Sequence, residues 1–144
     1  LFMTKDVILN ITGMQLNDRS NDEPIELITR GNYYKKNNKH YVIYDEIMEG
    51  ISGTTKNTIK FGDSFFQLTK SGAINTSMVF EENKKNVTNY NTPFGSIVIG
   101  LDASNISVEE LEDEISVNVD YSIDANCEYL ADCNIKMKIQ ATGK

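Results

Sequence analysis

The chain has 144 residues, a formal net charge of −7, 40% hydrophobic residues and 24% charged residues. This hydrophobic content is typical of a folded protein and argues against disorder. The acidic surface repels phosphate backbones, which argues against a nucleic-acid partner. No run reaches the ~18 apolar residues of a membrane-spanning helix, so no membrane partner is predicted. Residues 1–6 lack the pattern of a signal peptide, and we therefore expect a cytoplasmic protein.

The dominant pattern along the chain is an alternation of apolar and polar residues with period two, which is typical of half-buried β-strands. Short polar links separate the strand-like runs and favour hairpins. A long series of hairpins must close on itself to avoid exposed edges. We therefore predict an all-β, antiparallel meander closed into a small barrel of about eight to ten strands. The predicted strands lie near 5–16, 24–36, 39–48, 56–62, 64–70, 73–82, 86–92, 95–102, 105–109 with 114–124, and 129–141.

The whole of 1–144 is predicted to form a single β-barrel domain. Met3 is taken as the natural start, with Leu1 and Phe2 left from cloning, and residues 1–3 are expected to be such a remnant or a disordered end.

The first hairpin allows a register to be predicted. A two-residue turn at Asn37-Asn38 puts Tyr33 opposite Val42 and Thr29 opposite Glu46. The same register places Arg30 and Asp45 opposite each other on the outer face. The inner face then holds Ile25, Leu27, Thr29, Gly31, Tyr33, Val42, Tyr44, Glu46 and Met48.

The turn at Ser71-Gly72 has two possible registers. A two-residue turn puts Phe66 opposite Ser77, whereas a three-residue loop with Gly72 at positive φ puts Phe66 opposite Thr76 and Leu68 opposite Ile74. The second register keeps apolar residues together, and we favour it.

Near the end of the chain, 114–124 and 129–141 should pair antiparallel, with Val117, Val119, Ile135 and Met137 buried and Asn118, Lys136 and Lys138 exposed to water. The best helical candidate, 108–113, would give one turn at most. The acidic residues within 109–114 are interpreted as a solvated turn, with attraction of a basic protein partner as the alternative.

The cysteines and the histidine argue against a metal or cofactor site. Two thiols, Cys127 and Cys133, cannot make a four-ligand zinc site, and a cytoplasmic chain of this size needs no disulfide. We expect both to be reduced, with Cys133 the more buried. His40 is the single histidine and has no recognisable nucleophile motif around it. No metal and no cofactor are predicted.

Several short motifs in a fixed order resemble the uncharacterised YwiB-like family of bacterial proteins. They are Gly31-Asn32-Tyr33-Tyr34-Lys35, Tyr41-x-x-Tyr44-x-Glu46, Ser71-Gly72-Ala73, Phe80 and Tyr90-x-Thr92-x-Phe94-Gly95. The resemblance spans the first strand to the last and implies a calycin-type (lipocalin-like) barrel. It implies no activity, because none is established for that family.

Glu46 is the candidate on which a function would depend. An inward carboxylate is costly unless it has polar partners, so we expect it to be buried and to accept a hydrogen bond from Thr29 or a tyrosine. It would serve as a polar anchor for a ligand or as a structural carboxylate. In the structural case, Glu46→Gln should cost little stability.

The leading hypothesis is a barrel that binds a small, partly apolar molecule in its interior. A binding protein is favoured over an enzyme that uses an inward Glu/Tyr pair for proton transfer, and over a filled barrel that binds proteins through acidic loops. The pocket wall would be formed by inward aromatic residues, which are Tyr33, Tyr44, Phe61, Phe66, Phe80 and Tyr121. An eight-stranded barrel is, however, only just wide enough for its own side chains or for one small ligand. The candidate ligand-binding residues are Glu46, Tyr44, Tyr33, Thr29, Phe66 and Tyr121.

Overall fold

Ten antiparallel strands close into a barrel in the computed structural model, which describes residues 5–13, 26–47 and 50–142. Around the barrel the order is β1-β10-β9-β8-β7-β6-β5-β4-β3-β2. The predicted all-β closed barrel is therefore confirmed. The strands are β1 Lys5–Thr12, β2 Glu26–Lys36, β3 Lys39–Ile47, β4 Thr54–Phe61, β5 Phe65–Gly72, β6 Thr76–Glu81, β7 Lys84–Thr92, β8 Gly95–Glu110, β9 Glu114–Ala125 and β10 Glu128–Ala141.

Some predictions fall outside the described residues. They are the strand ends at 14–16, 24–25 and 48, the inward placement of Ile25 and Met48, and the interpretation of residues 1–3.

The strands β9 and β10 show how the alternation sets the fold. Val119 pairs with Ile135 and Val117 pairs with Met137, and all four side chains are buried. The lysines at 136 and 138 are exposed on the opposite face. Successive side chains of a strand point to opposite faces, so the apolar set fills the interior while the polar set meets water. The predicted pairing and faces of this hairpin are confirmed.

A stack of aromatic rings fills the interior of the barrel. Phe61, Phe66, Phe80 and Tyr121 follow one another with centroid distances of 6.4, 5.8 and 4.8 Å. The three phenylalanines are fully buried and Tyr121 is 4% exposed. Their inward orientation was predicted, and they leave the middle of the barrel packed with side chains.

The first hairpin follows the predicted register only near its turn. Tyr33 pairs with Val42 as predicted, but the pairing of β2 with β3 ends at Asn32 and Ile43. Closure of the barrel then pairs the rest of β2 with β1, where Thr29 faces Leu9. The predicted pairing of Thr29 with Glu46 is therefore wrong.

The same departure separates Arg30 from Asp45. Arg30 lies opposite Ile8 on β1, and Asp45 lies opposite Lys56 on β4. Gly31 lies close to both neighbouring strands, because a Cβ there would lie 2.9 Å from the Ile43 carbonyl oxygen and 2.9 Å from Leu9 Cδ1. A side chain at this position would push the strands apart.

The link between β5 and β6 is longer than predicted. Phe66 pairs with Phe80, and Lys70 pairs with Thr76. The predicted pairings with Thr76 and Ile74 are wrong because β5 continues through Gly72, which has the predicted positive φ at 137°. The Asn75 side chain closes the loop by donating to the Gly72 carbonyl at 2.8 Å and accepting from the Gly72 amide at 3.1 Å.

The strand β8 joins two segments that were predicted separately. Its 16 residues run through a register shift between Ala103 and Asn105, so 105–109 continues 95–102 rather than joining 114–124. No helical turn forms at 108–113, where the strand ends at Glu110 and an exposed turn follows. A β-bulge of this kind bends a strand without ending it.

The two thiols differ in burial, and this gives a testable prediction. Cys127 is exposed in the β9–β10 turn, whereas Cys133 is half-buried on β10. Burial also raises the pKa of the Cys133 thiol above its usual range, so less of the reactive thiolate forms. We expect a maleimide reagent to modify Cys127 much faster than Cys133 in native protein, as followed by mass spectrometry. The single variants Cys127→Ser and Cys133→Ser assign the two rates, and equal rates would contradict the placement.

Candidate functional site

Two polar clusters lie near opposite ends of the packed interior. One, called here the Glu46 cluster, consists of Glu46, Asn57 and Lys70. The other, called the mouth cluster, consists of Tyr33, Lys35, His40 and Glu110. Each contains a carboxylate and a lysine ammonium, but the clusters differ in burial and in access to water.

The Glu46 cluster is built by three neighbouring strands, β3, β4 and β5. The Lys70 ammonium donates to Glu46 Oε1 at 2.8 Å and to Asn57 Oδ1 at 2.9 Å. The Asn57 amide donates to the same Glu46 oxygen at 3.1 Å. Glu46 is buried, as predicted, but its donors are an ammonium and an amide rather than Thr29 or a tyrosine.

This cluster forms a closed and satisfied ion pair. The side chains of Lys70 and Glu46 are only 7% and 8% exposed. No buried side-chain nitrogen or oxygen within the described residues lacks a hydrogen-bond partner. Burial and the nearby Glu46 charge also raise the pKa of Tyr44, so this hydroxyl stays protonated. The geometry therefore fits a structural ion pair.

The mouth cluster surrounds the single histidine. The Tyr33 hydroxyl and His40 Nδ1 are 2.8 Å apart, and the imidazole ring stacks on Phe61 with centroids 4.7 Å apart. On its other side, His40 Nε2 lies 3.7 Å from Glu110 Oε1. The Lys35 ammonium donates to that same carboxylate oxygen at 3.3 Å. Imidazole, hydroxyl, carboxylate and ammonium thus meet at one end of the barrel.

Burial controls the protonation of this cluster. It lowers the pKa of His40 below its usual range, and this effect outweighs the opposing effect of Glu110. Burial and the Glu110 charge raise the pKa of Tyr33 to about 12. At neutral pH the imidazole is therefore uncharged and the hydroxyl is protonated.

Three members of the mouth cluster, Tyr33, Lys35 and Glu110, line an open cleft of about 980 Å³, called here the mouth cleft. Its floor contains the buried aliphatic residues Val7, Ile115 and Ile139. Charged side chains surround this floor, and they are Lys5, Lys35, Lys36, Glu110, Glu112, Asp113 and Glu114. The cleft therefore offers apolar surface inside a polar rim.

The six predicted site residues do not form one site. Glu46 and Tyr44 lie close together at one end of the barrel, and Tyr33 lies in the mouth cluster at the other. Phe66 and Tyr121 belong to the aromatic stack. Thr29 is half-buried opposite Leu9 and joins neither cluster.

Sequence reasoning missed five residues of the two clusters. Three of them carry the period-two signal, because each falls at an inward position of its strand: they are His40, Asn57 and Lys70. The other two are Lys35 and Glu110, whose contact has no local signal, since it joins residues 75 positions apart and depends on barrel closure.

Neither a group of metal ligands nor a membrane-spanning helix is present within the described residues. Across 5–13, 26–47 and 50–142, no three His, Cys, Asp or Glu side chains are grouped as metal ligands would be. The same part of the chain contains no helix with the length and hydrophobicity needed to cross a membrane.

Comparison with known proteins identifies relatives of the same architecture. A family described as "Domain of unknown function (DUF1934)" matches residues 9–137. The Bacillus subtilis (strain 168) protein described as "Uncharacterized beta-barrel protein YwiB" is 28% identical over 122 residues, which are 83% of this chain and 84% of the relative. The crystal structure of the Bacillus subtilis ywiB protein superposes with a TM-score of 0.79 at 20% identity, covering 96% of this chain and 92% of that one. The resemblance to the YwiB-like family is thus confirmed.

Removing the charge of Glu46 should destabilise the protein strongly, because it would leave the Lys70 ammonium buried without a counter-charge. We expect Glu46→Gln to lower the free energy of unfolding by about 3–5 kcal/mol in urea denaturation. The small cost predicted from the sequence assumed a neutral hydroxyl donor, whereas the structure places the charged Lys70 ammonium beside Glu46. The matched control is the double variant Glu46→Gln/Lys70→Met, which should recover most of the loss. A double variant no more stable than the single one would contradict the ion pair.

The lowered pKa of His40 predicts a pH dependence of stability. As the pH falls through about 6.5, the unfolded chain takes up a proton that the buried imidazole resists. The stability present above that pH is therefore lost as the pH falls toward the folded-state pKa. We expect wild-type protein to lose more stability than His40→Gln between about pH 7.5 and 5.5 in urea titrations. Parallel curves for the two proteins would refute this.

Proposed function

We propose that the chain, which belongs to the DUF1934 family of domains of unknown function, binds a small, partly apolar molecule in the mouth cleft. The supporting observation is the cleft itself, with its volume of about 980 Å³. This volume lies at the upper end of the range of about 300–1,000 Å³ common for small-molecule sites.

The lining of the cleft supports this proposal. Val7, Ile115 and Ile139 are 2%, 7% and 3% exposed and form a floor of core residues, while Leu111 in the same lining is 56% exposed and adds accessible apolar surface. The Tyr33 hydroxyl and the Lys35 ammonium stand above this floor. Ligand sites generally combine an apolar lining with a few well-placed polar groups. Apolar floor and polar rim together favour a ligand with one polar end.

Binding at the mouth also agrees with the packing of the interior. The aromatic stack and its neighbours occupy the middle of the barrel, so a ligand there would have to displace fully buried phenylalanines. The mouth is lined partly by inward side chains and needs no such displacement. Of the sequence candidates, Tyr33 is the one that lines it.

The two alternatives receive less support. Proton transfer by Glu46 and a tyrosine would require a free carboxylate, but Lys70 and Asn57 both donate to Glu46. An acidic docking loop would use 109–114, but three lysines, Lys5, Lys35 and Lys36, line the same rim, so this surface carries both signs of charge.

The proposal is tested by filling the cleft. Ala141 is the last residue of β10, is half-buried and lines the cleft, so Ala141→Trp should occupy its volume. The matched control is Ala125→Trp at the opposite end of the barrel, where Ala125 is likewise half-buried and ends its strand. We expect the neutral fluorescent probe N-phenyl-1-naphthylamine to bind wild type and Ala125→Trp with similar affinity, and Ala141→Trp at least tenfold more weakly. Equal binding to all three folded proteins would overturn the proposal.

A further inference from the structure

We propose that the ligand of the mouth cleft is an amphipathic acid, whose carboxylate takes the place of the Glu110 carboxylate beside Lys35 and His40. The inference rests on the proposed function and adds the chemical class of the ligand. Its basis is that the chain already places one of its own carboxylates in this position.

Glu110 reaches its partners across the mouth of the barrel. It ends β8, whereas Lys35 lies on β2 and His40 on β3. In the barrel order, β9, β10 and β1 separate β8 from β2. The contacts are therefore made across the opening and not through a strand ladder. The strand ladders close the barrel without these contacts, so the barrel can stay closed when the contacts of Glu110 break.

The position beside Lys35 suits a carboxylate. The Lys35 ammonium lies 3.3 and 3.4 Å from the two Glu110 oxygens, and His40 Nε2 lies 3.7 Å from one of them. An ammonium has three donors and no acceptor, so its partner must be an acceptor, and a charged acceptor gives the stronger hydrogen bond. Any carboxylate that reaches this point meets the same donors.

Glu110 can be exchanged at low cost. The side chains of Lys35 and Glu110 are 44% and 45% exposed, and such pairs contribute little to stability because water solvates both charges. A released Glu110 would point from the β8–β9 turn into solvent. An incoming carboxylate would gain what Glu110 loses, while its apolar part would cover Leu111, which lines the cleft and is 56% exposed, above the floor of Val7, Ile115 and Ile139. The apolar contact favours the ligand over the internal carboxylate.

The experiment compares an acid with its neutral amide. Octanoate and octanamide share the same alkyl chain and differ in charge, and each is titrated while amide chemical shifts are followed by NMR. Glu110→Gln removes the internal competitor and keeps its size. The matched control is Glu109→Gln, which makes the same charge change one residue away on β8, where Glu109 is exposed and does not line the cleft. Lys35→Gln removes the proposed partner of the ligand.

We expect Glu110→Gln to bind octanoate roughly two- to five-fold more tightly than wild type, the change produced by releasing one exposed ion pair. Glu109→Gln should match wild type, Lys35→Gln should bind octanoate more weakly, and octanamide should respond to none of these changes.

The outcomes separate this inference from the proposed function. Equal effects on octanoate and octanamide, or equal effects of Glu110→Gln and Glu109→Gln, would overturn the inference that the ligand is an acid while leaving binding in the cleft intact. Binding of octanoate that Lys35→Gln does not weaken would also overturn it. No shift of cleft amides with either compound, together with loss of the N-phenyl-1-naphthylamine result, would overturn the proposed function itself.

Discussion

Closure of ten strands around one packed interior is the constraint on which the other features depend. The alternation of each strand sends every second side chain inward, and the aromatic stack of Phe61, Phe66, Phe80 and Tyr121 occupies the centre. A charge placed in this layer would be desolvated without room for a partner. The two inward-facing charged clusters accordingly lie on either side of the stack, at the ends of the barrel. The mouth cleft is one of these ends, so its position follows from the packing of the middle.

The two clusters contain similar charged groups but differ in burial. Burial decides whether a pair supports the fold or can take part in binding. Lys70 and Glu46 are almost fully buried, and separating them would leave a charge in an apolar interior. That pair is fixed and excludes a ligand. Lys35 and Glu110 make a similar contact at nearly half exposure, where water can replace either partner. An exchangeable contact above an apolar floor suits binding, whereas a permanent one suits support of the fold.

The sequence predicted what depends on local alternation and missed what depends on closure. The faces of β9 and β10, the inward aromatics and the burial of Glu46 all follow from period two. The same alternation could have identified the partners of Glu46, because Lys70 and Asn57 both occupy inward positions of their strands. The contact of Glu110 was not, since it joins strands that are not neighbours in the barrel. No local pattern encodes which residues meet across an opening.

The path of β2, which differs from the predicted first hairpin, also determines the geometry of the mouth. β2 pairs with β1 as far as Tyr33 and with β3 from Asn32 onward, so the strand passes from one partner to the other at this point. Gly31 precedes the change and allows the close approach that it requires. Beyond it, Tyr33 pairs with Lys5 of β1, and the end of β2 lines the cleft with Tyr33, Lys35 and Lys36. The segment Gly31–Lys35 thus combines a backbone requirement with two site residues, Tyr33 and Lys35. Because β2 leaves β3 at this point, Thr29 does not pair with Glu46. The same path of β2 places Tyr33 and Lys35 opposite Glu110.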